Sequence, residues 1–244
     1  MRIVATSDLH GNLPEFDFGS FDLLLICGDI CPASNHGVKF QEFWLKTEFI
    51  PWVKSLPYND EQSKVVMVWG NHDFYGEHCS DKARKNLEEM SGNRLKILNH
   101  EQYDFLFNGD TISIWGTPYC SIFGYWAFMI PDVKLAEKFS QIPEGIDILI
   151  SHDSPFMNKL GAITEGYRLN DTTGNKVLPM HIERVKPKVF LSGHFHSGNH
   201  EFKNYDGIWM ANVSYVNEAY QPVNTLLVFD FDPKTKEVTY GKND

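Results

Sequence analysis

The sequence of 244 residues has few cysteines, a deficit of basic residues and no long apolar run. Its 22 Lys and Arg residues are outnumbered by 32 Asp and Glu residues, and the formal charge of −10 makes polymeric nucleic acid an unlikely routine partner. No apolar run has the length of a membrane span, and a predicted strand begins at the first residues of the sequence. We therefore expect a cytoplasmic protein without a signal peptide or a membrane-spanning segment.

The cysteines lack the spacing of a structural site. No pair has the Cys-x-x-Cys spacing, so we expect free thiols without a disulfide or zinc role. The four residues are Cys27, Cys31, Cys79 and Cys120.

Low-complexity tracts and internal repeats are also missing, which is typical of an ordinary globular protein. The candidate functional motifs extend from position 8 to position 196, so we predict a single domain over residues 1–244. A domain of this size buries roughly 70% of the surface of its unfolded chain. The sequence makes no prediction about the oligomeric state.

Five apolar runs, each typical of a buried strand, end directly in polar residues. Because ligands bind at the carboxyl ends of such strands in layered α/β folds, we expect these polar residues at one edge. The polar motifs are Asp8-Leu9-His10, Gly28-Asp29, Gly70-Asn71-His72-Asp73, His152-Asp153 and Gly193-His194-Phe195-His196. Their carboxylate, amide and imidazole groups are too many for one metal ion and fit two ions that share a carboxylate. The candidate ligands are Asp8, His10, Asp29, Asn71, His152, His194 and His196.

The ordered set of motifs resembles the calcineurin-like metallophosphoesterases, and within them the metallophosphoesterase-domain-containing proteins of animals and their microbial relatives. The stretches Trp115-Gly116-Thr117-Pro118 and Gln221-Pro222-Val223-Asn224 add to the resemblance. It implies a four-layer αββα sandwich and a centre of two divalent metal ions. It also implies that Asp29 bridges the ions, with one held by Asp8, His10 and His196 and the other by Asn71, His152 and His194.

The resemblance further implies that His72 is a catalytic residue and not a ligand. A histidine beside a metal-bound Asn71 can stabilise charge and protonate the leaving oxygen. We expect Asp73 either to orient the His72 ring or to cap the following turn. Imidazole and carboxylate ligands suit Mn, Fe, Zn or Mg, and we favour Mn.

The expected reaction is hydrolysis of a small phosphoester. Protein phosphatases of this superfamily carry Arg near the Gly-Asp and Gly-Asn-His motifs, whereas this chain has Ile30, Cys31 and Trp69 there. Fewer guanidinium donors favour a monoanionic diester, such as a small or cyclic nucleotide, over a phosphoprotein. A phosphomonoesterase is the alternative, since Lys159 or Arg168 could contact the substrate. A metal-free scaffold is a weaker alternative, because no candidate ligand is missing.

The remaining predictions concern local structure. We predict helices over 38–55, 80–90, 132–139 and 175–185, and we expect Pro51 to end or kink the first of them. A hairpin should turn at Asn108-Gly109-Asp110, and residues 153–173 should form a loop. The aromatic segment 119–131 could stack a nucleobase or belong to the core, Asp153 could support a ligand, and Asn212 is a pocket candidate. Surface or loop positions are expected for His36, His78, His100, His181 and His200.

Overall fold

The computed structural model describes residues 1–17, 19–163 and 171–241. In this structure the apolar runs form strands of two six-stranded mixed sheets. In the first sheet, β1, β2, β3 and β4 are parallel, β15 is antiparallel beside β1, and β16 is antiparallel beside β15. The ranges are β1 Arg2–Thr6, β2 Leu23–Cys27, β3 Lys64–Val68, β4 Leu95–Leu98, β15 Leu227–Phe231 and β16 Val238–Thr239.

The second sheet has the order β13-β14-β12-β9-β6-β5. Its four central strands are parallel, and the outer strands β5 and β13 are antiparallel to their neighbours. The ranges are β5 Glu101–Phe107, β6 Asp110–Thr117, β9 Ile148–Ser151, β12 Val189–Ser192, β13 Lys203–Tyr205 and β14 Ile208–Asn212. Two short pairs lie outside these sheets: β7 Cys120–Ser121 with β8 Met129–Ile130, and β10 Ala162–Ile163 with β11 Asp171–Thr172.

The sheets pack face to face because successive residues of each strand point to opposite sides. Ile3 and Leu25 of the first sheet share a buried cluster with Ile150 of the second. The neighbouring Val4 and Leu24 instead face helices on the outside of the first sheet. Each sheet is therefore buried on both faces, which explains the continuous apolar runs in the sequence.

Helices cover both outer faces and complete the four layers. The outside of the first sheet carries α1 Val38–Trp44, a π-helical turn Leu45–Phe49 and α2 Ile50–Ser55, followed by α3 Phe74–His78 and α4 Asp81–Met90. The outside of the second sheet carries α5 Asp132–Phe139 and α6 Leu178–Val185. The predicted αββα sandwich is confirmed. In the part of the chain that is described, no helix is long and apolar enough to cross a membrane.

Several local predictions need correction. The helical run from Val38 to Ser55 continues past Pro51, because the preceding π-helical turn places this proline in the first turn of α2, where its missing N–H is not needed. The helix predicted from Asn175 begins at Leu178, since the Asn175 Oδ1 atom accepts bonds from the backbone of the first turn. Short elements α3, β10 and β13 were not predicted. Arg168 lies outside the described residues.

The core between the sheets generates a prediction about stability. Leu25 on β2 is fully buried there, whereas Leu106 on β5 is 59% exposed. We expect Leu25→Ala to lower the free energy of unfolding by about 2–5 kcal/mol through the cavity it leaves. Leu106→Ala should change it by less than about 0.5 kcal/mol. Urea unfolding of both variants checks this, and similar losses in the two would contradict the assignment of Leu25 to the core.

Candidate metal centre

The carboxyl ends of five strands meet at one edge of the sandwich. Strands β1, β2 and β3 reach it from the first sheet, and β9 and β12 reach it from the second. Each strand is followed directly by one of the polar motifs. The structure brings together all seven side chains that the sequence analysis selected: Asp8, His10, Asp29, Asn71, His152, His194 and His196.

One group of ligand atoms comes from Asp8, His10 and His196, which lie within 4.8 Å of one another. The Nε2 atoms of His10 and His196 are 3.1 Å apart. The Nε2 atom of His196 is also 3.6 Å from Oδ1 of Asp8. This is the group that the resemblance implies for the first ion.

A second group lies around His152. Its Nδ1 atom is 2.8 Å from the Cys27 carbonyl oxygen, which can only accept, so Nδ1 carries the proton. Its Nε2 atom is 2.9 Å from Oδ1 of Asn71. The ring centroids of His152 and His194 are 5.1 Å apart. Imidazole and amide oxygen therefore face one another at short range.

Asp29 lies between the two groups. Its Oδ2 atom is 3.6 Å from Nε2 of His10 and 3.5 Å from Nε2 of His152. Its Oδ1 atom accepts a bond of 2.7 Å from the backbone nitrogen of His72. A single carboxylate oxygen is thus nearly equidistant from one histidine of each group.

The two carboxylates make the centre strongly negative. Asp8 and Asp29 are almost completely buried, and in the described ranges the basic side chains within 4.0 Å of them are histidines. Burial opposes a charge on His152, but Asp29 and Asp8 outweigh it and raise the pKa of His152 to about 10. Burial also opposes a charge on His196, yet the hydrogen bond and charge of Asp8 raise its pKa to about 9. The field at this edge favours cations.

These residues fit a pair of divalent cations. Buried carboxylates are stable only when a positive charge is close, and here no Lys or Arg of the described chain supplies it. The buried Nδ1 atom of His10 also has no hydrogen-bond partner in the part of the chain that is described. Carboxylate, amide oxygen and imidazole together suit Mn, Fe, Zn or Mg.

Backbone strain is concentrated at the same residues. Asp8, His10, Asp29 and His194 have φ angles of 53°, 44°, 52° and 70°, in the left-handed region that most residues avoid. Such conformations cost about 1–3 kcal/mol each and persist where the surroundings impose them, often at functional sites. Gly70 and Gly193 permit the tight turns, because a Cβ atom would clash with Asp29 at the first and with Ser7 and Asp8 at the second.

Asp8 joins the two sheets at this edge. Its oxygens accept bonds of 3.1 and 3.0 Å from the backbone nitrogen of His194, which follows the second sheet. Its Oδ2 atom also accepts a bond of 2.7 Å from the Ser214 hydroxyl. The position of the carboxylate is therefore fixed from both sides.

Asp73 has a different role from both that were predicted. Its carboxylate neither contacts the His72 ring nor caps α3. It accepts bonds from the backbone nitrogens of Ile30, Cys31 and Gly70 at 2.8 to 3.2 Å, and so holds the loop after β2 against the loop after β3. Burial, together with the charge of Asp29, raises the pKa of Asp73 to about 6.

The ring of His72 is positioned by contacts that the sequence analysis did not predict. Nδ1 of His72 is 3.0 Å from Nε2 of His36, which was expected at the surface or in a loop. The indole of Trp126 stacks on the His72 ring with centroids 4.3 Å apart. Gln41 donates a bond of 2.7 Å to the His72 carbonyl. These contacts leave Nε2 of His72 available to a substrate.

A cavity of about 450 Å³ opens above the centre. Its floor includes Asn71, His72 and His194, and its walls include Phe123 and Tyr220. The described residues that line it contain no Lys or Arg. The segment 119–131 is therefore divided, because Phe123 is 61% exposed at the wall while Ala127 and Phe128 belong to the core.

Asp153 and Asn212 form hydrogen bonds with the loops that surround the centre. Oδ2 of Asp153 accepts bonds of 2.9 Å from the backbone of Ser121 and from the Asn175 amide, and Asp153 also lines the cavity. Nδ2 of Asn212 donates to the carbonyls of Leu160 and Phe195 at 3.0 and 2.8 Å. Asn212, which was predicted as a pocket candidate, therefore braces the backbone of the His194 loop.

Comparison with known proteins gives sequence relatives along nearly the whole chain. Metallophosphoesterase domain-containing protein 1 of Homo sapiens is 30% identical over 253 aligned positions, covering 94% of this chain and 70% of the human protein. UPF0046 protein C25E10.12 of Caenorhabditis elegans is 26% identical over 211 positions, covering 80% of this chain and 69% of that protein.

Solved structures share the fold. The protein TT1561 of Thermus thermophilus has a TM-score of 0.53 at 13% identity, with 98% of this chain and 97% of the other covered. The phosphopantetheinyl hydrolase from Mycobacterium tuberculosis has a TM-score of 0.52 at 16% identity, with 89% and 90% covered. At these identities the likeness concerns the fold alone.

A sequence model of one family, described as Calcineurin-like phosphoesterase, matches residues 1–198. This range contains all five motifs and every residue of the two ligand groups. Together with the human relative, the match shows that the chain belongs to the calcineurin-like phosphoesterase family, whose members typically use divalent metal ions.

Proposed function

We propose that this protein is a two-metal phosphodiesterase that hydrolyses small nucleotide-type diesters, including cyclic ones. The observation that carries the proposal is the position of Asp29, whose Oδ2 atom lies 3.6 and 3.5 Å from one histidine of each ligand group. A carboxylate between two groups of ligands can be shared by a pair of metal ions.

The assignment of ligands follows the two groups. Asp8, His10 and His196 would hold one ion, and Asn71, His152 and His194 would hold the other, with Asp29 shared. When bound, paired divalent ions lower the pKa of water, orient the phosphoryl group and offset the charge that develops on its oxygens. Mn is the ion we favour for the position of Asp8, His10 and His196, because hard carboxylate oxygens suit it.

His72 would protonate the leaving oxygen. Its Nδ1 atom is engaged by His36, and Trp126 stacks on the ring, so Nε2 is the nitrogen that can reach a substrate in the cavity. The hydrogen bond from its backbone nitrogen to Asp29 fixes the backbone of His72 relative to the ligands. A positioned acid of this kind contributes roughly 100- to 10,000-fold to a rate.

The walls of the cavity support a diester as the substrate. A phosphomonoester dianion is commonly clamped by guanidinium groups, whereas the described lining contains no Lys or Arg and includes the acidic Glu218 and Asp153. Phe123 and Tyr220 offer aromatic surfaces to a flat substituent such as a nucleobase. The net charge of −10 fits a small substrate better than polymeric nucleic acid.

The first prediction tests the reaction and the shared carboxylate. With Mn, wild-type protein should hydrolyse bis-(p-nitrophenyl) phosphate and cyclic nucleotides faster than p-nitrophenyl phosphate. Asp29→Asn should lose roughly 100- to 1,000-fold in turnover, because it removes several kcal/mol of charge stabilisation from both ions. The exposed Asp132→Asn is the control and should keep wild-type rates. Preference for the monoester would support a phosphomonoesterase, and full activity of Asp29→Asn would refute the shared position.

The second prediction concerns the acid. His72→Asn should leave the metal content intact and should reduce turnover most for diesters with alkoxide leaving groups, which need the proton. Nitrophenyl esters should be affected much less. Steady-state rates over a series of leaving groups, with the exposed His78→Asn as control, measure the difference. Equal losses along the series would leave His72 with charge stabilisation only.

The third prediction concerns the second ion. His194 has a φ angle of 70°, a conformation that glycine adopts without strain, so His194→Gly should fold normally. It removes one imidazole from the second group, so the metal content should fall from two ions towards one, and excess Mn should restore turnover. Metal analysis of protein purified without chelator gives the stoichiometry. Two tightly bound ions in the variant would show that His194 is not a ligand.

A further inference from the structure

A buried thiol adjoins the second group of ligands. The Sγ atom of Cys120, one ring nitrogen of His152 and one ring nitrogen of His194 all lie within 4.8 Å of one another. Cys120 lies on β7, outside the five motifs, and is fully buried. Its thiol donates a bond of 3.4 Å to the Pro118 carbonyl.

An amide oxygen lies beside the same group. Asn71 is 1% exposed, and its Nδ2 atom has no hydrogen-bond partner in the described chain. Its Oδ1 atom is 2.9 Å from Nε2 of His152, a member of the cysteine and histidine group. The amide oxygen can therefore offer a further ligand atom to a cation beside the thiol, whereas the Nδ2 donor cannot bind one.

We propose that Cys120 is a thiolate ligand at the second metal position, beside His152 and His194, and makes that position prefer zinc. This inference rests on the proposed metal centre and adds to it a residue that neither the motifs nor the comparisons assign. On coordination, the Sγ–H bond breaks, the proton passes to solvent and the sulfur forms a bond to the ion.

The two positions then differ in chemical character. The first offers the oxygens of Asp8 and Asp29 with the imidazoles of His10 and His196, a set that suits Mn, Fe or Mg. The second adds sulfur, and soft thiolate ligands select zinc over Mn and Mg. The centre is therefore built for two different metals, with zinc at the position that Cys120 adjoins.

Cys120 is the cysteine whose surroundings favour this role. Cys27 points into the core between the sheets, and Cys31 packs in the core beneath the helices. Cys79 donates to the Gly76 carbonyl at 3.4 Å, the same distance as the thiol bond of Cys120. Cys79 is therefore a matched control, because its thiol has a similar bond and belongs to none of the candidate ligand groups found among the described residues.

Cobalt substitution tests the proposal directly. Metal-free protein is loaded with Co²⁺, the bound metal is counted, and the near-ultraviolet spectrum is recorded for the band that arises from charge transfer between a thiolate and cobalt. We expect the band in wild type and in Cys79→Ser, and its loss in Cys120→Ser. In competition between Zn²⁺ and Mn²⁺, wild type should retain one zinc ion per chain, and Cys120→Ser should hold it at least roughly tenfold less tightly.

Each outcome decides the question. Bound cobalt without the band in wild type, or a band that persists in Cys120→Ser, overturns the role of Cys120 and leaves the metal centre standing. Failure of wild type to bind cobalt overturns both. Because Cys120 is buried, circular dichroism should accompany the spectra, and Cys120→Ala serves if the serine variant does not fold. The wild-type spectrum alone can refute the proposal.

Discussion

The negative charge of Asp8 and Asp29 is the constraint on which the rest of this structure depends. Two carboxylates have been taken almost completely out of water at the end of adjacent parallel strands. Such burial is stable only when positive charge and hydrogen-bond donors are supplied locally. The histidines of two further motifs, the backbone of His194 and the hydroxyl of Ser214 all contact these two groups. The strained backbone around them is the structural cost of that arrangement.

The features that could be predicted from the sequence are those that depend on one continuous segment of the chain. Each strand that carries a motif is a continuous apolar run, and the polar residue that follows it is a ligand candidate by position alone. The hairpin turn at Asn108-Gly109 could likewise be predicted, because Asn and Gly favour the positive φ angles that such a turn needs. Both residues adopt such angles in the structure. Membership of the family and the layered fold therefore followed from the sequence, while the extent of the single domain stays a prediction.

What the sequence could not predict depends on contacts between distant segments. His36 meets His72 across 36 positions, and Cys120 meets His152 and His194 although it belongs to none of the motifs. Asp73 looked like a partner of the histidine beside it, yet the backbone nitrogens of Ile30 and Cys31 compete for its carboxylate. No local pattern reports such competition, because it is decided by which loops the sheets bring together.

The bond between Asp8 and the backbone of His194 links the metal centre to the packing of the two sheets. Asp8 follows a strand of one sheet and His194 follows a strand of the other, so the separation of the ligands depends on how the two sheets are seated on each other. A ligand that binds only the folded chain stabilises it by RT ln(1 + [L]/Kd), which is about 2.7 kcal/mol when the ligand is at 100 times its Kd. Ions bound by ligands from both sheets would therefore stabilise the packing of one sheet on the other. The melting temperature of the protein would then depend on the free metal concentration.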